Sequence, residues 1–251
     1  MNDGVIWLIV TFALLLVLTH WIARHVQGIG YLLTEDGQIA MTVYLLLTLP
    51  GVLLHECSHA LTAILLRVKV RRFSIGIRRK GQDLVALGSV DIARTDPIRA
   101  SLIGLAPLAA GCAVILLIGS QALGFGRFEP FSPGAFWREL SGMYRAPDFW
   151  LWAYLVLAVG NTMFPSAADR HAWWLALIFI AFVGAILYFA GLLDDLSTAV
   201  GGWAQGAMNL LTYAFAVTVI VDLVFGVFLF LVERSLGILG FGRIKYQNKW
   251  R

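Results

Sequence analysis

From Ile39 to Leu66 the chain runs through apolar sequence in which His55, Glu56 and His59 are the side chains that carry or readily take a charge. A run of this length crosses a hydrocarbon core about 30 Å thick as a helix. Ionisable groups inside such a span are costly and need a reason. Comparable apolar runs recur along the sequence. With 59% hydrophobic and 14% charged residues and a mean hydropathy of +0.80, a soluble domain is excluded and an integral membrane protein is expected.

The expected fold class is an all-α polytopic membrane protein, one membrane-embedded domain over residues 1–251. About six transmembrane helices are predicted, at about 5–23, 39–66, 98–122, 149–165, 172–193 and 207–232. The first lacks the basic start and small-residue cleavage site of a signal peptide, so it is read as retained. Pro50-Gly51 marks either a hinge or a packing feature in the second. Between Arg67 and Arg99 basic residues outweigh acidic ones, which places this segment in the cytoplasm. Within it, residues of about 70–92 alternate well enough for a small β-hairpin or sheet turning at Lys80-Gly81-Gln82. Arg234, Arg243, Lys245, Lys249 and Arg251 make the tail basic as well. Both termini are therefore expected inside, in what is read as a bacterial inner (plasma) membrane. Because the basic residues flank apolar segments, the net charge of +4 signals orientation in a lipid bilayer and not nucleic-acid binding. Cys57 and Cys112 read as small buried side chains, not a disulfide framework. The aromatic-rich stretch 124–148 is expected at the opposite interface, and Asp194 to Gln205 as an external loop or turn.

His55-Glu56-Cys57-Ser58-His59 places two imidazoles one helical turn apart on one face, within reach of a single metal ion, with a carboxylate beside them. That arrangement suits zinc-assisted hydrolysis, with Glu56 as general base and Zn2+ as the cofactor. Helices two and four run in the same direction, so a helix end broken near Gly160, Asn161 and Pro165 brings Asp169 to the depth of the histidines. Asp169 is the predicted third ligand; the alternative is an interfacial aspartate paired with Arg170. Asp222 lies inside an apolar run at a similar depth. It is predicted to accept a hydrogen bond from the non-ligating nitrogen of His55 or His59, or else to bond a neighbouring helix away from the metal.

A metal motif in a membrane helix, a strand-forming loop after it, and an Asn161…Pro165…Asp169 sequence in a later helix together resemble the site-2 protease family of intramembrane zinc metalloproteases. The likeness covers roughly residues 39 to 170. The family's later motif usually ends Leu-Asp-Gly, where this chain has Ala168-Asp169-Arg170, and Pro165 is displaced by about one position. The resemblance implies His55, His59 and Asp169 as zinc ligands, Glu56 as general base and Asn161 as a polar group near the substrate backbone or oxyanion. It further implies a membrane protein as substrate, adding as a strand to the edge offered by about 70–92. Two other classes are kept: a membrane-anchored metalloprotease acting on cytoplasmic or misfolded chains, and a non-proteolytic metal-binding membrane protein or transporter.

Overall fold

A computed structural model describes residues 2–80, 83–125, 131–166, 169–170 and 193–239, with single positions between 174 and 188. Among the described residues, elements follow in the order α1 (Asn2–Thr34), α2 (Gly37–Leu65), β1 (Val70–Lys80), β2 (Asp83–Ile92), α3 (Pro97–Gln121), α4 (Pro133–Met143), α5 (Phe149–Gly160) and α6 (Leu193–Ile238). Four of them, α1, α2, α3 and α6, are long and apolar enough to cross a membrane. The predicted fifth span, 172–193, falls largely outside the described residues. The hairpin forms as expected, an antiparallel pair running from Val70 opposite Ile92 to Lys80 opposite Asp83.

Local chemistry starts and stops these elements. Asp36 caps α2, accepting from the Gln38 amide at 2.6 Å, and Asp96 caps α3 from Arg99 at 2.9 Å with Pro97 in the first helical position. α2 ends through Arg67, whose left-handed backbone (φ 58°) lets Val68 N–H donate to Ala63 and Arg67 N–H to Ile64. This paired C-terminal motif usually takes glycine at the left-handed position. Buried Val68 then packs on Ala63 and Ile103, which turns the chain back toward the bundle and sets the hairpin against α2.

α2 is the hub, touching α1, α3, α5 and both strands, while α6 closes the bundle against α1, α3 and α5. The Pro50-Gly51 pair lies within a continuous α2 and is a packing feature. A methyl group on Gly51 would run into the Ala158 carbonyl and the Thr162 hydroxyl, and one on Gly111 of α3 would meet Met163 Cβ at 2.6 Å. Both glycines admit the C-terminal end of α5 and the turn beyond it.

Several sequence expectations need correction. α1 continues to Thr34 instead of ending near residue 23, and Asp194 to Gln205 belongs to α6, not to a loop. Neither stretch contains a proline, and once packing has nucleated a helix each further residue adds a hydrogen bond for the ordering of one residue. The fourth helix stops at Gly160, not near 165. In 124–148, Phe125 and Phe136 are buried and join Phe131 and Tyr213 in an aromatic cluster, so they serve the core; Trp137 and Tyr144 are exposed.

Gly51→Ala gives a sign test of this packing. Helix propensity alone favours alanine by about 1 kcal/mol, yet overlap with α5 should reverse that and destabilise by about 1–3 kcal/mol. Thermal unfolding of the purified protein in detergent should show the lower midpoint.

Candidate metal centre

The two motif histidines sit in the last three turns of α2, and their rings meet edge to face with centroids 4.8 Å apart. Each is fixed through Nδ1. His55 Nδ1 lies 2.7 Å from the Thr162 carbonyl and His59 Nδ1 lies 2.8 Å from that of Ile103. A carbonyl can only accept, so both Nδ1 atoms carry a proton, and each ring when neutral presents its Nε2 lone pair.

Proline accounts for the availability of both carbonyls. In α3 the Ile103 oxygen would normally accept from residue 107, but Pro107 has no N–H to give. The Thr162 oxygen, in the turn beyond α5, finds no N–H at Pro165 three residues on, and the Ser166 N–H four residues on is drawn away to Asp169 Oδ2 at 2.7 Å. One carbonyl inside α3 and one in the turn beyond α5, both short of a local donor, are thus answered by two imidazoles.

The Nε2 atoms of His55 and His59 stand 3.1 Å apart. Asp169 closes the group, with Oδ1 3.2 Å from His59 Nε2 and Oδ2 3.8 Å from His55 Nε2. A single proton can bridge one pair of these acceptors but not all three. A divalent ion with bonds of about 2.0–2.1 Å in tetrahedral geometry separates its ligand atoms by roughly 3.3 Å; the 3.1 Å and 3.2 Å separations at His59 match this, and the three ligand atoms, one per residue, all lie within 4.8 Å of one another. His55, His59 and Asp169 could therefore hold a metal ion, and their donor set fits one.

Asp169 reaches this position through a short reciprocal turn. Ser166 N–H donates to its carboxylate while the Asp169 N–H lies 3.3 Å from Ser166 Oγ. This is the pattern of a capping box. Arg170, the alternative partner, donates instead to the Ser166 carbonyl at 3.3 Å. Sequence reasoning missed Ser166, and missed that Pro107 and Pro165 leave carbonyls for the two rings. The Ser-x-x-Asp spacing, and a proline four residues after Ile103, are the signals that could have found them.

Glu56, next along α2, is buried, and its charge acts on the His59 ring. β2 lies over it: a Cβ on Gly88 would stand 2.7 Å from Glu56 Cγ and 2.8 Å from Cδ. Glycine at 88 lets the strand backbone approach the carboxylate this closely. Other glutamates lie elsewhere, Glu139 on α4 and Glu233 3.7 Å from His25; Glu129 is outside the described residues.

Two expectations are corrected here. Asp222 does not receive a histidine N–H, because both Nδ1 atoms are taken by backbone; its Oδ1 accepts from Asn161 Nδ2 at 2.7 Å. Asn161 in turn spends its amide hydrogens on Asp222 and on the Leu157 carbonyl at 2.9 Å, so it has none to offer an oxyanion. No known protein family matches the chain, and no match is found among curated proteins or solved structures.

Pro107→Ala tests the freed carbonyl. The new amide should compete with His59 Nδ1 for the Ile103 oxygen and weaken divalent-metal binding by about 10-fold, with the helical bundle retained. Competition with a chromophoric chelator, read beside circular dichroism, would register the change; unaltered affinity would deny Ile103 its orienting part.

Proposed function

We propose that this chain is an intramembrane zinc endopeptidase of the site-2 protease kind, cleaving a membrane-spanning or membrane-associated protein near the cytoplasmic side. The observation that carries this reading is the convergence of His55 Nε2, His59 Nε2 and the Asp169 carboxylate beside a buried glutamate. Two imidazoles and one carboxylate, with a fourth position left for water or substrate, are the ligand pattern of catalytic rather than structural zinc. A bound zinc ion there would polarise the scissile carbonyl and acidify a water.

The chain's own residues supply the rest. Glu56 takes the proton of the attacking water and returns it to the amide nitrogen as the peptide bond breaks, the usual work of a positioned carboxylate. The carbonyls of Thr162 and Ile103 hold the two rings in the tautomer that leaves Nε2 free. Ser166 holds the Asp169 carboxylate through its amide.

Depth supports a membrane substrate. α5 has 12 residues, about 18 Å at 1.5 Å per residue, well short of a bilayer core of about 30 Å. The turn that bears Asp169 is thus irregular backbone packed against α2 and α3, the setting in which such backbone is tolerated within a membrane. A substrate helix hides its carbonyls in internal hydrogen bonds and must unwind before it can be cut. The hairpin beside Glu56 offers an edge to which the unwound segment can pair as a strand. The basic residues of β1, among them Arg71 and Arg72, favour the cytoplasmic side for this hairpin and, with the basic tail, for both termini.

Purified protein reconstituted in lipid with single-span substrates should cleave them, and a chelator should stop cleavage until zinc is restored. Glu56→Gln should retain bound metal while cleavage falls by about 10²–10⁴-fold. Cleavage that ignores the chelator, or a Glu56→Gln variant as fast as the parent, would overturn the proposal.

A further inference from the structure

The contact between Asp222 and Asn161 is the least expected polar feature of the bundle. Asp222 sits on α6 with no exposed surface, and Asn161, at the C-terminal end of α5, is 7% exposed. A polar pair this deep is costly unless it is well partnered. Among the described residues, Asp222 Oδ2 and Asn161 Oδ1 have no hydrogen-bond partner. The pair therefore does not maximise stability, and its position suggests what it does instead.

Asn161 is followed directly by Thr162, whose carbonyl receives His55 Nδ1. The turn that continues to Ser166 and Asp169 starts from the same point. One residue earlier α5 and α6 pack closely enough that a side chain on Gly160 would strike Thr218 Cγ2. Asp222, one helical turn beyond Thr218, then clamps the Asn161 amide, which also holds the Leu157 carbonyl of its own helix. Two hydrogen bonds, Asn161 Nδ2 to Asp222 and His55 Nδ1 to the Thr162 carbonyl, joined by the backbone between the adjacent residues Asn161 and Thr162, thus connect α6 to His55 on α2. His59 is held separately, from α3.

We propose that Asp222 is a positioning residue for the metal centre: by clamping Asn161 it fixes the Thr162 carbonyl, and through it the orientation of His55, while leaving His59 to its own anchor. The inference rests on the zinc-peptidase reading for its purpose, but its geometry is testable without metal. Asparagine at 222 can still accept from Asn161 Nδ2, and its own amide can satisfy Asn161 Oδ1. Valine can do neither.

Nitrogen-15 NMR of histidine-labelled, metal-free full-length protein in lipid, at a fixed pH of about 8 where unperturbed imidazoles are neutral, reports which ring nitrogen bears the proton. Resonances are assigned with His55→Gln and His59→Gln. Asp222→Val should abolish the uniform Nδ1–H state of His55 and leave that of His59 intact, whereas Asp222→Asn should preserve both. In zinc titrations the valine variant should bind about 10- to 100-fold more weakly, with the asparagine variant within about 3-fold of the parent. The proposal is overturned if His55 keeps its Nδ1–H state in Asp222→Val, if both rings change together, or if Asp222→Asn behaves like Asp222→Val. Should Asp222→Val fail to fold, Asn161→Ser cuts the same link from the other end and must give the same selective loss at His55. A parent protein that binds no zinc would sink the peptidase reading while the ring-nitrogen result still decides the clamp.

Discussion

Two imidazoles turn their Nε2 atoms toward each other at 3.1 Å, with a carboxylate oxygen 3.2 Å from one of them, and such a group of lone pairs calls for a positive charge among them. The surrounding structure imposes that confrontation. Each ring is held from behind by a backbone carbonyl short of a local donor, that of Ile103 because Pro107 has no N–H and that of Thr162 because Pro165 has none and the Ser166 N–H is turned to Asp169, so neither can rotate away without abandoning its acceptor. The polar groups are thus satisfied outward, toward the scaffold, and left open inward. Such an arrangement makes sense for a site that takes a cation, and it is poor design for a purely apolar bundle.

The bundle is arranged to deliver these groups from separate elements. α2 brings both histidines and Glu56, α3 brings the Ile103 carbonyl, and the turn after α5 brings Thr162 and Asp169. That turn fits because Gly51 and Gly111 remove side-chain volume on the two helices facing it. A helix of ordinary bilayer length at α5 would have carried the turn past the histidines. Its early stop at Gly160, followed by Asn161 and Pro165, puts the carboxylate at their level. The hairpin completes the enclosure by laying the bare backbone of Gly88 against Glu56. The Glu56 carboxylate, the three candidate metal ligands and the hairpin are thereby gathered at one end of α2.

Much of this is legible in the residues. The apolar runs give α1, α2, α3 and α6, because a bilayer-length stretch without charges has few other stable outcomes. The hairpin is visible in its alternation, and the histidine pair in its four-residue spacing. Helix ends are less legible: α1 and α6 extend through polar residues without breaking, since nothing in those stretches removes a backbone donor. The aromatic residues near 131–136 resemble an interfacial belt in composition alone, yet α4 folds Phe136 inward against Tyr213.

What the sequence by itself determined is the periodic and the local: which segments are apolar enough to span, that His55 and His59 share a face, that a proline-bearing break precedes Asp169. These follow from helix geometry and from the missing proline N–H, and need no neighbour. What only the tertiary structure decided is which polar group answers which. Asp222 and the histidines lie at comparable depth, but depth is one coordinate. Rotation about α6 and the packing of α5 between it and α2 direct the carboxylate to Asn161 and leave Thr162 to receive His55. Pairings between residues far apart in the chain depend on how helices rotate and cross, and that is fixed by the complementarity of whole surfaces, not by any one residue's neighbours in sequence.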